Sequence, residues 1–359
     1  MLDHEEKNQL VDLIPQSSSR GLMVAKREIV AYMSNATGVT RILEADHLGP
    51  RLLVLNYHRV GESTRTLFDS GIYSCTADEF DWQVAWLKKR FVFPTLEEAA
   101  DIIHGRTVPK KNSVLITFDD GYRDNYQIAF PILKKHGVPG TFFLPTAFVG
   151  TGNLPWWDQI AYLIKISSKQ RISLTYPDKM EFDITPRFRA QSIRSILTAF
   201  KTPRTTDPER FIRELGEACG TQTVTEAPEP CFMSWDEARE MTRGGMYFGS
   251  HTHSHEIISK LPYSRQLEEL TQSKAILERE LQTPIQTLAY PVGAADSFSK
   301  DSMKAAAEAG YHTAFSFYSG VNIPGKIKPF DVLRVGVSQD SRATFRFRMA
   351  CLAATGREF

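Results

Sequence analysis

A chain of 359 residues, of which 42% are hydrophobic and 24% charged, can bury a large core and has the composition of a globular protein. The net charge of +1 gives no reason to expect nucleic acid as a partner. The four cysteines include no Cys-x-x-Cys pair, which argues against a thiolate metal site and against a disulfide framework.

Residues 1–48 are predicted to form a polar lead-in and then an amphipathic helix. The first residues are acidic where a secretory signal would be basic, and no stretch reaches the ~20 apolar residues of a membrane span. We therefore expect a cytoplasmic location. The segment 22–43 combines apolar residues near helical spacing with several basic ones. Packing on the protein's own side is the favoured interpretation, and peripheral contact with a membrane is the alternative.

Strands and helices alternate from residue 49 onward. The apolar runs that predict strands lie at 52–57, 113–118, 141–144, 246–249, 287–290, 311–317 and 332–337. Helices are predicted at 76–90, 95–104, 126–136, 234–244, 264–281 and 301–310. Short turns between them indicate parallel strands with right-handed crossovers. We predict an α/β fold with barrel-like architecture over 49–345, followed by a C-terminal helix or tail over 346–359.

The alternation is interrupted over residues 150–232, where the chain is more polar. Helical stretches near 157–167 and 186–200 predict an inserted, mostly helical subdomain. Trp156 and Trp157 stand at its beginning. Aromatic pairs of this kind usually anchor packing, and the alternative is a platform on which a sugar ring stacks.

Two adjacent carboxylates end the central predicted strand. The apolar run 113–118 leads directly into Asp119, Asp120 and Gly121. The carboxyl ends of parallel strands are where α/β enzymes gather their chemistry. Asp-Gly is also a common turn dipeptide, so this stretch taken alone fits a solvated turn.

Three histidines within five residues follow another predicted strand. Neutral imidazole is the commonest protein metal ligand, and residues four apart can converge on one ion. We favour His251 and His255 as ligands, with His253 facing away or supporting them. A pair of His251 and His253, on one face of an extended segment, is the alternative. The zinc-protease pattern His-Glu-x-x-His carries its own base, whereas the residues between these histidines include no carboxylate.

The two aspartates can supply what the histidine cluster lacks. One Asp with two His makes a facial triad that leaves positions open for water and substrate. The other Asp can take the proton from that water. Together the two stretches favour a hydrolytic metal site over a solvated turn.

These residues resemble the polysaccharide deacetylases, the NodB-homology or carbohydrate esterase family 4 proteins. Residues 117–121 (TFDDG) match the first motif of that family, and 251–255 (HTHSH) fit its second, His-[Ser/Thr]-x-x-His. Residues 289–293 (AYPVG) are similar to its third motif. The resemblance covers about residues 50–340 without the insertion, and it implies a distorted, incomplete (β/α) barrel.

By position, the resemblance makes Asp119 the base and Asp120, His251 and His255 the ligands of a divalent metal ion. Zinc is the default ion for two His and one Asp, and other divalent transition metals fit as well. The implied reaction is removal of acetyl groups from an N-acetylated saccharide by attack of a metal-bound water.

The third motif is expected to contact the substrate through Tyr290, Pro291 and Val292. A backbone N–H near Val292 would stabilise the oxyanion that forms during hydrolysis. Trp157 is the further candidate for a substrate contact.

The proton for the leaving amine needs a separate acid. Most of the family uses a His in a late Leu-x-His motif, and no such motif follows Asp331. The stretch 56–60 (NYHRV) resembles the early Tyr-His of members that act on poly-N-acetylglucosamine polymers, which implies that His58 is the acid. A His satisfied by local hydrogen bonds is the alternative.

A second departure concerns the support of the base. The third motif usually begins with an Arg that orients the catalytic Asp, and Ala289 stands there in this chain. Arg334, on the last predicted strand, can supply the guanidinium, and a surface ion pair is the equally weighted alternative.

The sequence thus predicts a metal-dependent N-deacetylase acting on an N-acetylated carbohydrate. The lack of an export signal favours a precursor inside the cell, soluble or membrane-associated, over a finished wall polymer. The alternatives are an O-acetyl esterase, a hydrolase of small cyclic amides, and a carbohydrate-binding protein whose catalytic residues have decayed.

Overall fold

A computed structural model describes residues 19–45, 49–64, 66–221, 224–227 and 230–357. Residues 1–18, where the polar lead-in of the predicted 1–48 segment begins, lie outside them. The strands are β1 (Leu52–Tyr57), β2 (Arg59–Val60), β3 (Tyr73–Cys75), β4 (Ser113–Phe118), β5 (Thr141–Leu144), β6 (Arg171–Leu174), β7 (Met180–Asp183), β8 (Tyr247–Ser250), β9 (Thr287–Ala289), β10 (Thr313–Phe315) and β11 (Val335–Gly336). The α-helices are α1 (Ser19–Ala36), α2 (Val39–Ala45), α3 (Ala77–Lys88), α4 (Leu96–Ile103), α5 (Phe130–His136), α6 (Trp156–Ile166), α7 (Arg189–Lys201), α8 (Pro208–Cys219), α9 (Trp235–Arg243), α10 (Tyr263–Leu281), α11 (Lys300–Glu308) and α12 (Arg342–Thr355).

Seven parallel strands form one curled sheet in the order β10-β9-β8-β5-β4-β1-β11. A bridge between Phe315 and Val332 joins the β10 edge to the segment that leads into β11. Because β11 pairs with β1, this segment spans the gap between the two edges of the sheet. The predicted distorted, incomplete (β/α) barrel is confirmed. The last strand is shorter than the predicted 332–337, because its first half makes only that one bridge.

Side chains alternate between the barrel interior and the helix-covered outer face, as the period of two requires. In β1, Leu52 and Val54 belong to an interior cluster, whereas Leu53 and Leu55 pack under the helices. In β4, Leu115 lies in the same interior cluster. Toward the carboxyl ends of these strands, the positions that face the interior carry polar residues. Their side chains therefore point into the mouth of the barrel.

The register of the sheet brings the strand ends level at one edge. Strands β1 and β4 are paired over their full length and end opposite each other at Tyr57 and Phe118. His58 and Asp119 follow these ends directly. Strand β8 is level with β5 and is followed by His251. Residues far apart in sequence are thus delivered to a single edge of the barrel.

Residues between β5 and α9 form a unit with its own hydrophobic cluster, built from side chains between Trp157 and Cys219. Three helices (α6, α7 and α8) and the antiparallel hairpin β6–β7 make up this unit. The predicted insertion, 150–232, covers it, although neither the hairpin nor α8 was predicted. Helix α8 begins at Pro208 with Asp207 as N-cap and ends at Gly220, which are the usual boundary signals.

The N-terminal segment forms two helices where one was predicted, because the chain turns at Gly38 with a φ of 83°. Helix α12 packs against both of them. The Asn35 amide donates to the Ala343 carbonyl at 3.0 Å, and Arg346 pairs with Glu44 at 2.7 Å. Helix α12 begins four residues before the predicted start at 346. No helix among the described residues has the length and apolar character needed to cross a membrane.

Candidate active site

The Asp-Asp-Gly turn at the end of β4 holds the chain in a conformation that few residues adopt. Asp120 and Gly121 have φ values of 73° and 70°. A Cβ at Gly121 would lie 2.6 Å from a methyl group of Leu144, so only glycine fits there. The turn leaves both aspartate side chains buried at the mouth of the barrel.

Left-handed backbone is concentrated at this mouth. Five non-glycine residues in the described chain have positive φ, and four of them lie in the three motifs: Asp120, Thr252, His255 and Val292. For a β-branched residue such as Val292 this conformation is strained. Strain of this kind persists where surrounding structure fixes it, and it clusters at functional sites.

Asp120, His251 and His255 place their ligand atoms within 4.8 Å of one another. His255 Nε2 lies 3.3 Å from Asp120 Oδ1 and 3.2 Å from His251 Nε2, and His251 Nε2 lies 3.7 Å from the same carboxylate oxygen. Ligands at roughly 2.0–2.2 Å from a tetrahedral zinc ion are separated by roughly 3.3–3.6 Å. The donor set and its spacing therefore fit a divalent metal ion.

The hydrogen bonds of the histidines set which nitrogen faces the cluster. His251 Nδ1 lies 2.7 Å from the Ala289 carbonyl, so this nitrogen carries the proton and Nε2 is left for a metal. His253 turns away, with its ring nitrogens 2.8 Å from Thr146 Oγ1 and 3.1 Å from the Gln272 amide. The structure thus brings together His251 and His255, and the alternative pair of His251 and His253 is wrong.

Trp157 supports His255 and is not a free platform. Its ring centroid lies 4.3 Å from that of His255, and its edge meets Phe148. Only 5% of the residue is exposed. Little of this indole is open for a sugar ring to stack on, so packing is its main role, and Trp157 meets the cavity only as part of its wall. The half-buried neighbour Trp156 also borders the cavity.

The inserted unit is tied to the first motif through Tyr122. The Tyr122 hydroxyl donates to Asp158 Oδ2 and accepts from the Trp157 indole, both at 2.7 Å. Asp158 Oδ1 accepts from the Asp69 backbone N–H at 2.9 Å. Burial raises the pKa of Asp158 to about 7. This network fixes the position from which Trp157 packs on His255.

Asp119 is held by Arg334 in a bidentate ion pair. Arg334 Nη1 donates to Oδ1 at 2.7 Å and Nη2 to Oδ2 at 2.8 Å. Asn56 donates to Oδ2 at 3.0 Å. Arg334 is fully buried, so the alternative of a surface ion pair is wrong. Ala289, where the family has its Arg, lies in the interior cluster that includes Phe143, the ring 5.5 Å from this guanidinium.

Burial and neighbouring charges together set the pKa values of these groups. Burial alone would raise the pKa of Asp119, but the Arg334 guanidinium holds this pKa well below its usual range. Burial also acts on Asp120, where the hydrogen bond and charge of His255 lower the pKa. Burial lowers the pKa of His251 to about 4. Both carboxylates are therefore ionised at neutral pH and His251 is neutral, as a metal ligand must be.

His58 borders the cavity from the end of β1. Its backbone N–H donates to Ser74 Oγ at 3.1 Å, and its carbonyl accepts from the Asn125 amide at 2.7 Å. Its ring lies 5.6 Å from that of Phe317. The backbone is fixed from both sides, and the imidazole faces the site from beside Asp119.

The third motif contributes only part of what was predicted. Val292 lines the cavity, and its backbone N–H makes no hydrogen bond with another described residue. Tyr290 stacks on Phe298 at 4.3 Å, and its hydroxyl donates to the Phe330 carbonyl. The prediction that the Tyr290 side chain contacts the substrate is wrong, because strand alternation turns it outward under the helices. Pro291 is buried and does not line the cavity either.

Two residues of the site were missed in the sequence. Asn56 accepts from both Thr117 Oγ1 and Arg334, at 2.9 and 2.8 Å, while donating to Asp119. A polar residue within the apolar run 52–57 was the available signal. Lys201, at the end of α7, borders the same cavity, with its ammonium 5.7 Å from the Trp156 ring. Its position depends on how the insertion docks, which no local pattern reveals.

The fold and the site define a class of protein: an α/β barrel with three residues placed to hold a metal ion, and a buried carboxylate beside them, at the carboxyl ends of the strands. The family model described as Polysaccharide deacetylase matches residues 106–314, more than half of the chain. The chain belongs to the polysaccharide deacetylase family. The match includes Asp119, Asp120, His251 and His255 but neither His58 nor Arg334.

Curated relatives are similar over part of their length. The poly-β-1,6-N-acetyl-D-glucosamine N-deacetylase of Staphylococcus epidermidis is 36% identical over 144 residues, 35% of this chain and 49% of the relative. The protein of the same name from Staphylococcus aureus is 37% identical over 119 residues, 30% of this chain and 41% of the relative. The chain spans about half the length of these relatives or less.

Solved structures share the fold. IcaB from Ammonifex degensii has a TM-score of 0.54 and 22% identity, covering 86% of this chain and 98% of that one. The Streptococcus pyogenes deacetylase PplD in complex with acetate has a TM-score of 0.54 and 18% identity, covering 82% and 96%. At these identities the likeness establishes the barrel fold.

Proposed function

We propose that the protein is a metal-dependent N-deacetylase that removes acetyl groups from an N-acetylated saccharide. The observation that carries this proposal is the cluster of Asp120, His251 and His255 beside Asp119. A metal site next to an ionised, buried carboxylate has the parts needed to activate water for attack on an amide. The names of the curated relatives support the substrate class.

The metal that we propose is Zn²⁺, held by Asp120, His251 and His255. Two imidazoles and one carboxylate suit zinc, and other divalent transition metals are accepted by the same donors. When bound, such an ion acts as a Lewis acid that polarises the acetyl carbonyl and lowers the pKa of water.

The residues around the metal site have separate roles in proton transfer and in charge stabilisation. Asp119 is ionised and takes the proton of the attacking water. Arg334 and Asn56 hold its carboxylate in place. Val292 lines the cavity, and its N–H, which no other described residue accepts, donates to the oxygen that becomes negatively charged. His58, which also lines the cavity, gives a proton to the departing sugar amine.

Acetate release with and without metal tests the proposal. We expect the purified protein to release acetate from N-acetylglucosamine oligomers, to lose this activity after chelation, and to regain it with Zn²⁺. His251→Ala should bind less metal and show the same loss, which ties the effect to this site. A metal-loaded protein that releases no acetate from any N-acetylated glycan contradicts the proposal. Release only from O-acetyl esters, or turnover only of small cyclic amides, supports those alternatives.

The role of His58 as acid is tested with two leaving groups. His58→Ala should lower kcat for N-acetylated sugars by roughly 100-fold, because an amine must be protonated as it leaves. The same change should lower kcat for 4-nitrophenyl acetate much less, because its phenolate leaves without a proton. Asp119→Asn, the control, should impair both reactions. Equal losses on the two substrates in His58→Ala contradict an acid role.

We also propose that the N-terminal helices contact a membrane on its cytoplasmic side. Five large apolar residues on α1 and α2 are 41–69% exposed: Ile29, Val30, Met33, Val39 and Ile42. Lys26, Arg27 and Arg41 are exposed on the same helices. Apolar residues beside basic ones fit an interface with anionic lipid, and anionic lipids are enriched in the cytoplasmic leaflet.

Co-sedimentation with vesicles containing anionic lipid tests the membrane contact. The triple variant Ile29→Glu, Met33→Glu and Ile42→Glu should bind at least roughly tenfold more weakly, because each change removes apolar contact and adds repulsion. Val108→Glu, an equally exposed apolar residue elsewhere, is the control. Equal sedimentation of the triple variant and the wild type contradicts the contact. Protease accessibility of the protein in intact cells tests the location.

A further inference from the structure

The catalytic cavity is too small for a glycan. It measures about 120 Å³ and is lined on one side by the barrel and on the other by Trp156, Trp157, Leu197 and Lys201 of the inserted unit. Small-molecule sites usually measure about 300–1,000 Å³. The cavity therefore admits an acetamido group and part of its ring, and the rest of a saccharide chain must lie on the adjacent surface.

A second cavity of about 470 Å³ lies directly beside the first, between the inserted unit and the loop after His255. Trp156 borders both cavities. Consecutive residues also divide between the two cavities. His255 and Lys201 line the first, and their chain neighbours Glu256 and Phe200 line the second. The two cavities therefore share Trp156 as a common wall.

The walls of the second cavity have the chemistry that sugars need. Trp156 stacks on Phe200 with ring centroids 4.3 Å apart, and Ile212 adds a further apolar surface. Glu209 and Arg213 stand one helical turn apart on α8, both are exposed, and neither side chain makes a hydrogen bond or ion pair with another described residue. Aromatic and apolar surface with a few free polar groups is typical of small-molecule binding sites, and a sugar ring offers both C–H surface and hydroxyl groups to such a wall.

We propose that the second cavity binds a neighbouring sugar unit of the same glycan chain whose acetyl group occupies the catalytic cavity. The proposal rests on the N-deacetylase function proposed above and specifies its substrate as an oligomer or polymer. The inserted unit then has a purpose: it closes one side of the catalytic cavity and extends the site by at least one sugar. Glu209 and Arg213 hydrogen-bond to the hydroxyl and amide groups of that sugar.

The test compares acetate release from N-acetylglucosamine and from its β-1,4- and β-1,6-linked tetramers. The wild type should show a kcat/KM at least roughly tenfold higher for one tetramer than for the monomer. The double variant Glu209→Ala and Arg213→Ala should lower kcat/KM for that tetramer roughly five- to tenfold through KM, as expected when one or two hydrogen bonds are lost. Its activity on the monomer should change less than about twofold. Glu217→Ala, one turn further along α8 and outside the cavity wall, is the control.

Equal losses on monomer and tetramer, or no loss on either, overturn the proposed sugar site while leaving the deacetylase function intact. If no glycan of any length is turned over, the proposed function fails, and binding then tests the cavity by itself. Metal-loaded Asp119→Asn is titrated calorimetrically with each tetramer, alone and combined with the double variant. Weaker binding in the combined variant supports the sugar site, and unchanged or absent binding overturns it.

Discussion

Replacing Asp119 by Asn should lower kcat for acetate release by roughly 10²–10⁴-fold, the usual contribution of a general base. Its carboxylate is fully buried and ionised, and the charge of Arg334 keeps it so. An amide of the same shape cannot take a proton from water. The loss should appear in kcat more than in KM, because the proton is transferred in the transition state.

The same variant should keep its metal. Asp119 Oδ2 lies 3.8 Å from His251 Nε2, whereas Asp120 Oδ1 faces both histidines at 3.7 and 3.3 Å. Asp120→Asn is the matched control, and it should lose metal and activity together. Metal content by mass spectrometry and kcat by acetate release separate the two roles.

The outcome also distinguishes an enzyme from a binding protein that has lost catalysis. Two departures from the family's motifs supported the alternative of a binding protein: Ala289 stands in place of an Arg, and no late Leu-x-His motif follows. Arg334 now occupies the position that supports the base, so the first of these arguments no longer holds. A wild type without turnover, whose Asp119→Asn variant binds glycan equally well, would favour a binding protein.

Local sequence patterns were enough to predict most of the barrel. Buried strands read as apolar runs, and N-caps such as Thr95 and Ser234 with a Glu three residues on form capping boxes. The metal ligands were found because their spacing is short: three histidines in five residues and two aspartates in two. Where the signal is local, the sequence predicts the structure.

The wrong predictions concern side-chain direction and long-range packing. Tyr290 lies in the right motif, but the register of β9 turns its ring toward Phe298. Trp157 was placed near the site correctly, yet which face of its indole remains free depends on His255 and Tyr122 packing against it. Neither side-chain orientation can be predicted from a local sequence pattern.

Arg334 was a candidate from the sequence, but its burial and its partner could be found only in the structure. Its sequence signal was only a charge on the last predicted strand, and its partner lies 215 positions earlier in the chain. The structure decides between a surface pair and a buried one because the segment from Val332 to β11 closes the barrel and carries the guanidinium inside.

Arg334→Ala should destabilise the protein by roughly 3–5 kcal/mol, because it leaves the buried carboxylate of Asp119 without its countercharge. Arg334→Lys should cost less stability but still lower kcat. One ammonium cannot replace a guanidinium that bonds at once to Ser316, Asn56 and both oxygens of Asp119. Urea denaturation and steady-state kinetics measure the two effects.

A pH profile separates positioning from mere stability. Arg334 keeps the pKa of Asp119 below its usual range, and the base must be ionised to act. Weakening this pair raises that pKa, so activity in Arg334→Lys should be lost at higher pH than in the wild type as the solution is acidified. An acidic limb that does not move, with kcat unchanged, would reduce Arg334 to a structural residue.

Moving the guanidinium from position 334 to position 289 gives the strongest test of this role. Ala289 belongs to the interior cluster with Phe143, the ring beside which Arg334 lies, so Arg334→Ala opens space on that side of the barrel. Ala289→Arg alone overpacks this interior and should destabilise the protein by about 1–3 kcal/mol. Combined with Arg334→Ala, it should recover part of the lost kcat, because what Asp119 requires is a bidentate donor inside the barrel mouth and not the strand that supplies it. No recovery in a folded double variant would contradict this and would assign the effect to the bonds that Arg334 makes with Ser316 and Asn56.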